Sequence, residues 1–480
     1  MKGFEPVIGL EIHMQLNTKS KMFSPEANRF GDEPNTNVGF VDLAIPGALP
    51  VINREAVNKA ILFGLATRAT IETTSYFDRK SYFYPDNPAG YQITQFYKPL
   101  LVGGQVETLV DGEKKTFAIE HTHLENDAGK LIHFPNFAGV DFNRAGAPLI
   151  EIVSHPCMHS AKDATAYATA ILAIAEYLDI TEGNLQEGCM RMDVNISVRK
   201  IGEHLLRKKA EIKNLNSFHN MELAIEAEVA RQIAFYEDHP DGSLESGTYR
   251  FDLERRQTVL MRRKETADDY RYFPEPDLPP LVITREEIDR LAQRLPELPQ
   301  ERYRRYVETL GLSPYNANVL IHNRRLCLFF EEGLRICKNA VSLCNWVTVE
   351  FGGRANERSL AVDALGIPAR HIAELVNAVD DGRITGKMAK EIADMMMTSP
   401  NASPLDIIVE NPRFRPISDT NELDAVIATV LEKHPQSVLD YKNGKDRAFQ
   451  FLIGMVMRET KGQANPEIVR DLLLKKIEMM

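Results

Sequence analysis

The sequence from residue 7 to residue 16 reads Val7-Ile8-Gly9-Leu10-Glu11-Ile12-His13-Met14-Gln15-Leu16. From Leu10 onward, apolar and polar side chains alternate, which is the pattern of a β-strand with one face in a core. The other face then carries a carboxylate, an imidazole and an amide, from Glu11, His13 and Gln15. This combination suits a divalent cation and phosphate chemistry better than an ordinary solvent-facing strand.

Three later stretches repeat the pattern. Two alternate in the same way, His121-Thr122-His123-Leu124-Glu125-Asn126-Asp127 and Arg191-Met192-Asp193-Val194-Asn195-Ile196-Ser197-Val198-Arg199. In the third, Glu151 lies inside the apolar run Pro148-Leu149-Ile150-Glu151-Ile152-Val153, where an unpaired charge is expensive to bury. We therefore expect the four strands to bring their ionisable groups to one shared site.

Composition limits the classes of protein to which the chain can belong. With 480 residues and 44% apolar side chains, it can bury a large core and is expected to form two or three domains. A net charge of -11 argues against a protein that coats nucleic acid indiscriminately, although a local basic patch can still grip one RNA. The sequence contains neither a bilayer-length apolar run nor a signal-peptide pattern, so we expect a cytoplasmic protein with no membrane partner.

The cysteines predict neither disulfides nor zinc. The chain has five, an odd number, and none of them shows C-x-x-C spacing. We expect reduced and mostly buried thiols.

The order of patterns along the chain predicts an α+β protein. Residues 1–293 are strand-rich and punctuated by turns, with a helix that starts near Ser160 and a second from about Met221 to Glu237. The proline cluster Phe273–Pro280 predicts an ordered extended loop. Residues 294–405 then read as helical, and residues 406–480 as a further, small helical unit.

Carboxylates and a histidine form the candidate metal site. Mg²⁺ prefers carboxylate oxygens and leaves coordination positions for water and phosphates. We predict Glu11, Glu125 and Glu151 as its ligands, with His13 as a ligand or a close neighbour of the ion. The alternative is a hydrogen-bonded polar sheet face without an ion.

Residues 77–93 combine aromatic side chains, cations, prolines and a glycine. This composition fits an ordered loop that presents side chains to a ligand. Aromatic faces there can stack on a base, and Lys80 can meet a phosphate or a carboxylate. The alternative is a structural loop that is pinned by its aromatics.

A second group of polar residues is expected to bind the nucleotide cofactor, namely Arg191, Asp193, Asn195 and Lys213. Arginine suits phosphate, and Asp193 adds a carboxylate of the metal-binding type. An ion-paired strand face is the alternative. The sequence contains no P-loop, no Rossmann fingerprint and no G-x-S-x-G elbow, and Cys189 has no evident histidine partner. The sequence also lacks the glycine- and serine-rich stretch that an amidase nucleophile needs. A reaction that uses ammonia would therefore have to receive it from another protein.

The last residues of the chain are rich in cations. Four of them could hold an RNA backbone, namely Lys442, Lys445, Arg458 and Lys461. A solvated helical face is the alternative.

Together these motifs resemble one family, the B subunit of the bacterial aspartyl/glutamyl-tRNA(Asn/Gln) amidotransferase. The stretches that carry the resemblance run the length of the chain, and they are Val7–His13, Phe77–Gln95, His123–Lys130, Asn143–Gly146, Pro148–Val153, Glu211–Ser217, Asp269–Pro280 and Thr460–Pro466.

The resemblance implies a mostly antiparallel, β-rich cradle domain with helices, then a helical domain, then a small helical tail domain that engages tRNA. It implies a ligase that forms carbon–nitrogen bonds with glutamine as amide donor. The enzyme would use ATP to convert Glu-tRNA(Gln) to Gln-tRNA(Gln), and by extension Asp-tRNA(Asn) to Asn-tRNA(Asn). It also implies a heterotrimer with an amidase A subunit, which releases ammonia from glutamine, and a small C subunit.

Residue by residue, the resemblance places Glu11, His13, Glu125 and Glu151 on the family's divalent-metal positions. It places Lys80 in the loop that faces the end of the ammonia path, and Lys80, Glu125 and Glu151 are the predicted catalytic residues. Many members carry four zinc-binding cysteines in the segment corresponding to residues 22–43, whereas this chain has none there. We therefore expect Mg²⁺ and ATP, and no zinc.

Two other classes of function fit the residues alone. A metal-dependent hydrolase would use the same acids and His13 to activate water, without ATP or RNA. A non-catalytic tRNA-binding module would depend on the cationic tail, so deletion of the residues after about Asn411 would abolish its function.

Overall fold

The computed structural model describes residues 3–183, 185, 188–263, 267–414, 420–460, 463–464 and 466–479. It separates into two compact units, Met1–Arg302 and Tyr303–Met480. The first is rich in strands and the second is helical, which confirms the predicted α+β class with a mostly antiparallel sheet before the helices. The domain boundaries near residues 293 and 405 stay predictions.

Strands are confined to the first unit in the described part of the chain. They are β1 (Phe4–Gln15), β2 (Thr70–Ile71), β3 (Thr74–Ser75), β4 (Asp78–Ser81), β5 (Tyr91–Thr94), β6 (Leu101–Val102), β7 (Gln105–Val110), β8 (Glu113–Asn126), β9 (Lys130–His133), β10 (Ala138–Asp141), β11 (Pro148–Ser154), β12 (Met190–Lys200), β13 (Ala210–Leu215), β14 (Gly247–Asp252), β15 (Gln257–Arg263), β16 (Phe273–Pro274) and β17 (Leu281–Val282).

A ten-stranded sheet dominates the first unit. Its order is β15-β14-β13-β12-β1-β11-β8-β6-β2, with β7 paired to β8. Only β13 and β14 run parallel among the described pairs of this sheet. The long strand β1 therefore lies between β11 and β12, which places three of the four polar faces side by side, and β8 adds the fourth.

One face of this sheet is covered by helices. The helices of the first unit are α1 (Arg54–Ala66), α2 (Ala161–Tyr177), α3 (Phe218–Asp238) and α4 (Arg285–Ala292), with a 3-10 turn at Ala267–Tyr270. Leu10, Ile12 and Met14 of β1 are fully buried in one hydrophobic core with residues of α1, α2 and α3. Because side chains alternate along a strand, the polar residues between them face the opposite side of the sheet, which is free for a site.

Two of these helices, α2 and α3, match the sequence pattern, whereas α1 and α4 were not predicted. Ser160 and Ser217 cap α2 and α3 by accepting hydrogen bonds from backbone amides three residues later. Helix α1 is absent from the prediction. Its signals were nevertheless present in the sequence, since Asn53 accepts hydrogen bonds from the Glu55 and Ala56 amides and the buried Ala56, Ala60 and Gly64 recur at helical spacing.

The proline cluster makes the predicted extended loop with short pairings at its ends. Strand β16 is an edge of the three-stranded sheet β16-β4-β5, and β17 pairs with β3. A proline is tolerated there because an edge strand needs fewer backbone donors. The pairing of β16 with β4 holds the strand that carries Lys80, so the ordered loop predicted over residues 77–93 was wrong at its two ends, where β4 and β5 pair with each other.

The second unit is helical throughout its described residues. After α5 (Pro299–Arg304), which includes the boundary between the units, its helices are α6 (Pro314–Ile321), α7 (Arg324–Leu334), α8 (Ala340–Asn345), α9 (Phe351–Glu357), α10 (Ala369–Asp380), α11 (Gly386–Thr398), α12 (Pro404–Glu410), α13 (Thr420–Lys433), α14 (Pro435–Lys442), α15 (Asp446–Glu459) and α16 (Pro466–Met479), with π-helical segments at Arg305–Thr309 and Trp346–Glu350 and 3-10 turns at Val362–Ala364 and Pro412–Phe414. Helices α13 to α16, here called the tail helices, share a hydrophobic core of their own.

Candidate active site

Strand pairing brings the four polar faces together. In the register of the sheet, Glu11 lies opposite Asp193, and His13 lies opposite Glu151. Glu151 in turn lies opposite His123 on the next strand. Side chains on directly opposed residues of one face are close neighbours, so the register alone assembles a continuous polar surface across β12, β1, β11 and β8.

A first donor set forms where His13, Glu125 and Glu151 meet, with donor atoms that lie within 4.8 Å of one another. His13 Nε2 is 3.4 Å from Glu151 Oε2 and 3.7 Å from Glu125 Oε1. His123 Nε2 approaches the same carboxylates, at 3.1 Å from Glu151 Oε2 and 3.7 Å from Glu125 Oε2. His123 is absent from the predicted site, although it precedes Glu125 by two residues and therefore shares its strand face.

A second donor set contains Glu11, Asp193 and Glu211, again with donor atoms within 4.8 Å. Asn195 Nδ2 donates to Glu11 Oε1 at 2.7 Å. Lys213 Nζ lies 2.8 Å from Asp193 Oδ2 and 2.9 Å from Glu211 Oε1. Glu11 thus lies in this set, beside the predicted cofactor-binding residues. Glu211 is missing from the prediction, and its signal was the alternation with Lys213.

Electrostatics couple the histidines to the acids. Burial alone would lower the pKa of His13 and His123, but the Glu151 and Glu125 carboxylates more than offset it and raise these pKa values to about 9 and about 10. Burial likewise opposes ionisation of Glu151, yet the two imidazoles hold the pKa of Glu151 well below its usual range. At neutral pH the imidazoles of His13 and His123 are therefore both protonated.

The pKa of Glu11, unlike that of Glu151, shifts upward. Burial, followed by the charges of Glu151 and Glu211, raises the pKa of Glu11. Carboxylates that are buried close together repel each other unless a cation lies between them. The acids of the second donor set therefore have excess negative charge that Lys213 only partly offsets.

The donor atoms fit a hard divalent cation. Both sets offer mainly carboxylate oxygens, which Mg²⁺ prefers, and neither contains a cysteine. Two buried atoms nearby, His123 Nδ1 and Asn195 Oδ1, have no hydrogen-bond partner within the described structure. Such atoms are rare without a cause, and Asn195 Oδ1 adds an oxygen beside the second set. The residues present therefore fit the predicted magnesium.

These groups line a large cleft. Two cavities of about 570 and 600 Å³ share several lining residues, among them His13, Lys80, Glu125, Asp193 and Lys213, and we call the pair the cleft. Lys80 Nζ lies 4.8 Å from the centre of the Tyr270 ring. Burial would lower the pKa of Lys213, but Asp193 and Glu211 more than offset it and raise this pKa. Lys213 is therefore a cation at the cleft wall.

Arg191 lines the cleft and is held there by an ion pair that was not predicted from the sequence. Its Nη2 lies 3.0 Å from both carboxylate oxygens of Asp127. Arg144 Nε lies 3.4 Å from Asp127 Oδ2, and Gln15 donates to the same oxygen at 3.3 Å. Although burial opposes it, the two arginines lower the pKa of Asp127. Asp127 thus fixes Arg191 in place and leaves the cluster with a net positive charge.

The predicted tRNA-binding cations lie on the tail helices. Lys442 ends α14, and Lys445, just before α15, pairs with Asp440 at 3.1 Å. Arg458 is exposed at the other end of α15, roughly 20 Å away for a rise of 1.5 Å per residue. Lys461 lies outside the described residues. The three cations that the structure describes, Lys442, Lys445 and Arg458, therefore do not form one tight cluster.

The cysteines are all free, and four of the five are buried, including Cys189. A search of the described residues finds no helix that is both long and apolar enough to span a membrane.

Comparison with known proteins matches both units. A family model described as the GatB/GatE catalytic domain matches residues 6–289, and one described as the GatB domain matches residues 328–477. The B subunit of the aspartyl/glutamyl-tRNA(Asn/Gln) amidotransferase from Protochlamydia amoebophila (strain UWE25) is 52% identical over 478 residues, which cover 99% of this chain and 97% of that protein. The protein of the same name from Chlamydia pneumoniae is 51% identical over 479 residues, which cover 99% and 98%.

Proposed function

This chain belongs to the family of aspartyl/glutamyl-tRNA(Asn/Gln) amidotransferase B subunits, and on that premise we propose how its cleft works. It is a subunit of a glutamine-hydrolysing ligase that converts Glu-tRNA(Gln) and Asp-tRNA(Asn) to their amides with ATP as substrate. It acts with an A subunit and a C subunit. Since charged tRNA is the substrate, we place the enzyme in the cytoplasm.

The reaction explains the residue types in the cleft. A side-chain carboxylate is a poor electrophile, so one of its oxygens first attacks the γ-phosphorus of ATP, and ADP leaves. Ammonia then attacks the acyl carbon, loses a proton and displaces phosphate. No protein nucleophile is needed, and the protein's task is to position substrates and to offset charge. A surface of carboxylates, histidines and lysines without a catalytic serine or cysteine suits this task.

We propose that the first donor set holds one Mg²⁺ and that the second holds another. His13, Glu125 and Glu151 would bind the first, with His123 against them, and Glu11, Asp193 and Glu211 would bind the second. When bound, Mg²⁺ supplies positive charge that offsets charge on a transferring phosphoryl group. The convergence of His13, Glu125 and Glu151 from three strands within 4.8 Å is the observation that carries the proposal.

The chain's own cations complete the site. We propose that Lys213 and Arg191 meet phosphate oxygens, because both line the cleft as fixed cations held by Asp193 and Asp127. Lys80 would hold the substrate carboxylate or its phosphate where ammonia arrives. Asn195 keeps Glu11 in position by donating to it.

Ammonia must reach the acyl carbon unprotonated. We propose that the partner A subunit delivers it to the side of the cleft that carries Lys80. A cation at that point disfavours ammonium, and a covered cleft would exclude the water that competes for the activated carboxylate.

Recognition of the tRNA body is proposed for the tail. Lys442, Lys445, Arg458 and Lys461 would contact phosphates, which needs cations spread over a surface. The comparisons supply no support for a metal-dependent hydrolase or for a non-catalytic tRNA-binding module.

The decisive test is Glu125→Gln in the enzyme assembled with its A and C subunits. We expect loss of ATP-dependent amidation of Glu-tRNA(Gln), because an amide binds Mg²⁺ more weakly than a carboxylate, whereas glutamine hydrolysis by the A subunit stays measurable. Glu113→Gln is the matched control, since Glu113 is exposed on the same strand β8. Normal amidation by Glu125→Gln would refute the assignment.

A further inference from the structure

The cleft has two compartments of different chemistry. The 600 Å³ compartment is lined by the acids and histidines of both donor sets. The 570 Å³ compartment shares His13, Glu125 and Asp193 with the first, and it is also lined by tyrosines and arginines, among them Tyr82, Tyr84, Arg144 and Arg191. Arg262 lies between them and lines both. The proposed function uses the first compartment for phosphoryl transfer and leaves the tyrosine side of the second without a role.

One wall of this second compartment is the hairpin of β14 and β15. Thr248 lines both compartments, and Arg250, two residues further along β14, lies on the same face of the strand. Arg262 lies opposite Thr248 on β15. Arg255 and Arg256 are exposed at the turn between the strands. A row of arginines therefore runs from the turn of the hairpin to the cleft.

Three of these arginines are not neutralised by acids of the described chain. Arg250, Arg255 and Arg256 are exposed and make no ion pair among the described residues. The hairpin has five arginines, namely Arg250, Arg255, Arg256, Arg262 and Arg263, against two acids, Asp252 and Glu254, in a chain with a net charge of -11. A local excess of arginine of this kind is the usual footprint of a phosphate backbone.

A stacking surface lies in the same compartment. The rings of Tyr82 and Tyr84 are parallel, with an interplanar angle of 5° and centroids 5.3 Å apart. Tyr84 remains 51% exposed. An exposed aromatic ring that is supported from behind by a second ring is a platform for an unpaired base, and such stacking tolerates any base.

We propose that this arginine–tyrosine wall, formed by Tyr82, Tyr84, Arg250, Arg255 and Arg256, seats the single-stranded 3′ end of the aminoacyl-tRNA. The inference rests on the proposed function and names the subsite that its RNA substrate occupies. The arginines hold successive phosphates over the hairpin, and the tyrosine pair stacks a base of the end. The attached amino acid then projects toward Lys80 and the donor sets.

The spacing of the charges favours RNA over ATP. Asp252 lies opposite Gln257, so the chain reverses at residues 253–256, and Arg255 and Arg256 lie roughly 7 to 10 Å beyond Arg250 along the hairpin at about 3.3 Å per residue. A triphosphate is compact and needs cations that converge, as the donor sets, Lys80 and Lys213 do. A nucleic-acid strand instead spreads its phosphates along its length, which matches arginines placed in a row.

The first experiment replaces the three unpaired arginines together, by Arg250→Gln, Arg255→Gln and Arg256→Gln, in the assembled enzyme. We expect the KM for Glu-tRNA(Gln) to rise roughly tenfold, with kcat, the KM for ATP and glutamine hydrolysis unchanged. Binding of a short RNA ending in CCA should show a salt slope smaller by roughly 2 units, since about 0.7 counterion is released per phosphate neutralised on a single strand. Arg285→Gln, an exposed arginine on α4, is the control.

The second experiment separates stacking from charge with a minimal substrate, 3′-O-glutamyl-adenosine. Tyr84→Ala should raise the KM for this compound and for Glu-tRNA(Gln) by about tenfold, whereas Tyr84→Phe should keep both near wild type. The triple arginine variant should leave the KM for the minimal substrate unchanged, because that substrate lacks the phosphates.

Two results would overturn the assignment. If Tyr84→Ala raises the KM for ATP instead, the platform belongs to the nucleotide. If the triple variant binds the CCA-ending RNA with the salt slope of the wild type, the arginines of the hairpin do not contact the RNA phosphates. Binding of that RNA does not require amidation, so a wild-type enzyme that binds it through the arginines yet fails to amidate would refute the proposed function and leave the RNA subsite standing.

Discussion

The sheet and the tail helices present their charges in opposite ways. In the sheet, His13, Glu125 and Glu151 come from strands far apart in sequence, yet their donor atoms lie within 4.8 Å because pairing fixes which residues oppose each other. On the tail helices, Lys445 and Arg458 lie at opposite ends of α15. Converging charges suit a compact ion and a reacting phosphate, whereas dispersed charges suit a long polyanion. Substitutions should therefore abolish function in the sheet and only weaken it in the tail.

The largest effect is expected at the centre of the convergence. Glu151 lies between His13 and His123, so Glu151→Gln removes the charge that organises the first donor set. ATP-dependent amidation should fall by a factor of roughly 10³ or more, the scale of losing a group that stabilises transition-state charge. The loss is measured as the rate of Glu-tRNA(Gln) amidation. Glutamine hydrolysis and the thermal midpoint of unfolding are measured in parallel to show that the variant is assembled and folded. Glu286→Gln, exposed on α4, should be silent.

A small decrease in amidation by Glu151→Gln would contradict the contrast between the sheet site and the tail helices. If Glu151→Gln retains more than about a tenth of wild-type amidation while it folds normally, the histidine–carboxylate cluster is structural. Glu151→Asp then becomes the informative variant, since it keeps the charge and shortens its reach.

The next effect concerns stability against pH. The folded pKa values of His13 and His123 are about 9 and about 10, above the value near 6.5 of an unfolded histidine. Their stabilisation is therefore full below about pH 6.5 and is lost as the pH rises through 9 and 10. Without metal, the thermal midpoint should fall by a few degrees between pH 7 and pH 10.

Two comparisons isolate the histidines from other groups that titrate in this range. Glu151→Gln should flatten the decline, because the carboxylate that raises both pKa values is gone. Added Mg²⁺ should also reduce it, since binding of a cation replaces the two protons. Equal slopes for the wild type and the variant, measured by thermal unfolding with EDTA, would show that the histidine protons contribute no stability.

Much of the sheet site was predictable because a strand has a period of two. Alternation around Glu11, His13, Glu125 and Asp193 identifies one face without any knowledge of the fold. Glu151 is found by a different signal, since a charge within an apolar run demands a partner.

Register was not predictable, and it explains why some site residues escaped prediction. His123 and Glu211 lie on the predicted faces, but only pairing between β8 and β11 and between β12 and β13 shows which donor set each joins. The same applies to Asp127, which becomes informative only when Arg191 is placed beside it. Helix α1 was also missed, although Asn53 caps its start and its buried residues recur at helical spacing.

A smaller effect is expected at the edge of the convergence. Lys213 contacts Asp193 and Glu211 of the second donor set but binds no metal itself. Lys213→Gln should lower kcat/KM for ATP by roughly tenfold to a hundredfold, because the remaining acids repel a triphosphate, while the KM for tRNA stays unchanged. Steady-state kinetics with each substrate varied in turn would measure it. Lys200→Gln, on the neighbouring strand and exposed, is the control, and a changed KM for tRNA would contradict the assignment.

The smallest effect belongs to the dispersed charges. Lys442→Gln, Lys445→Gln and Arg458→Gln together should raise the KM for Glu-tRNA(Gln) roughly threefold to tenfold and leave kcat and the KM for ATP unchanged. Lys445 should contribute least, because Asp440 already neutralises it at 3.1 Å. Lys338→Gln is the matched control, since that lysine is equally exposed and pairs with Asp381 at 3.3 Å. A fall in kcat comparable to that of Glu151→Gln would mean that the tail takes part in the chemical step, and the contrast between converging and dispersed charge would then fail.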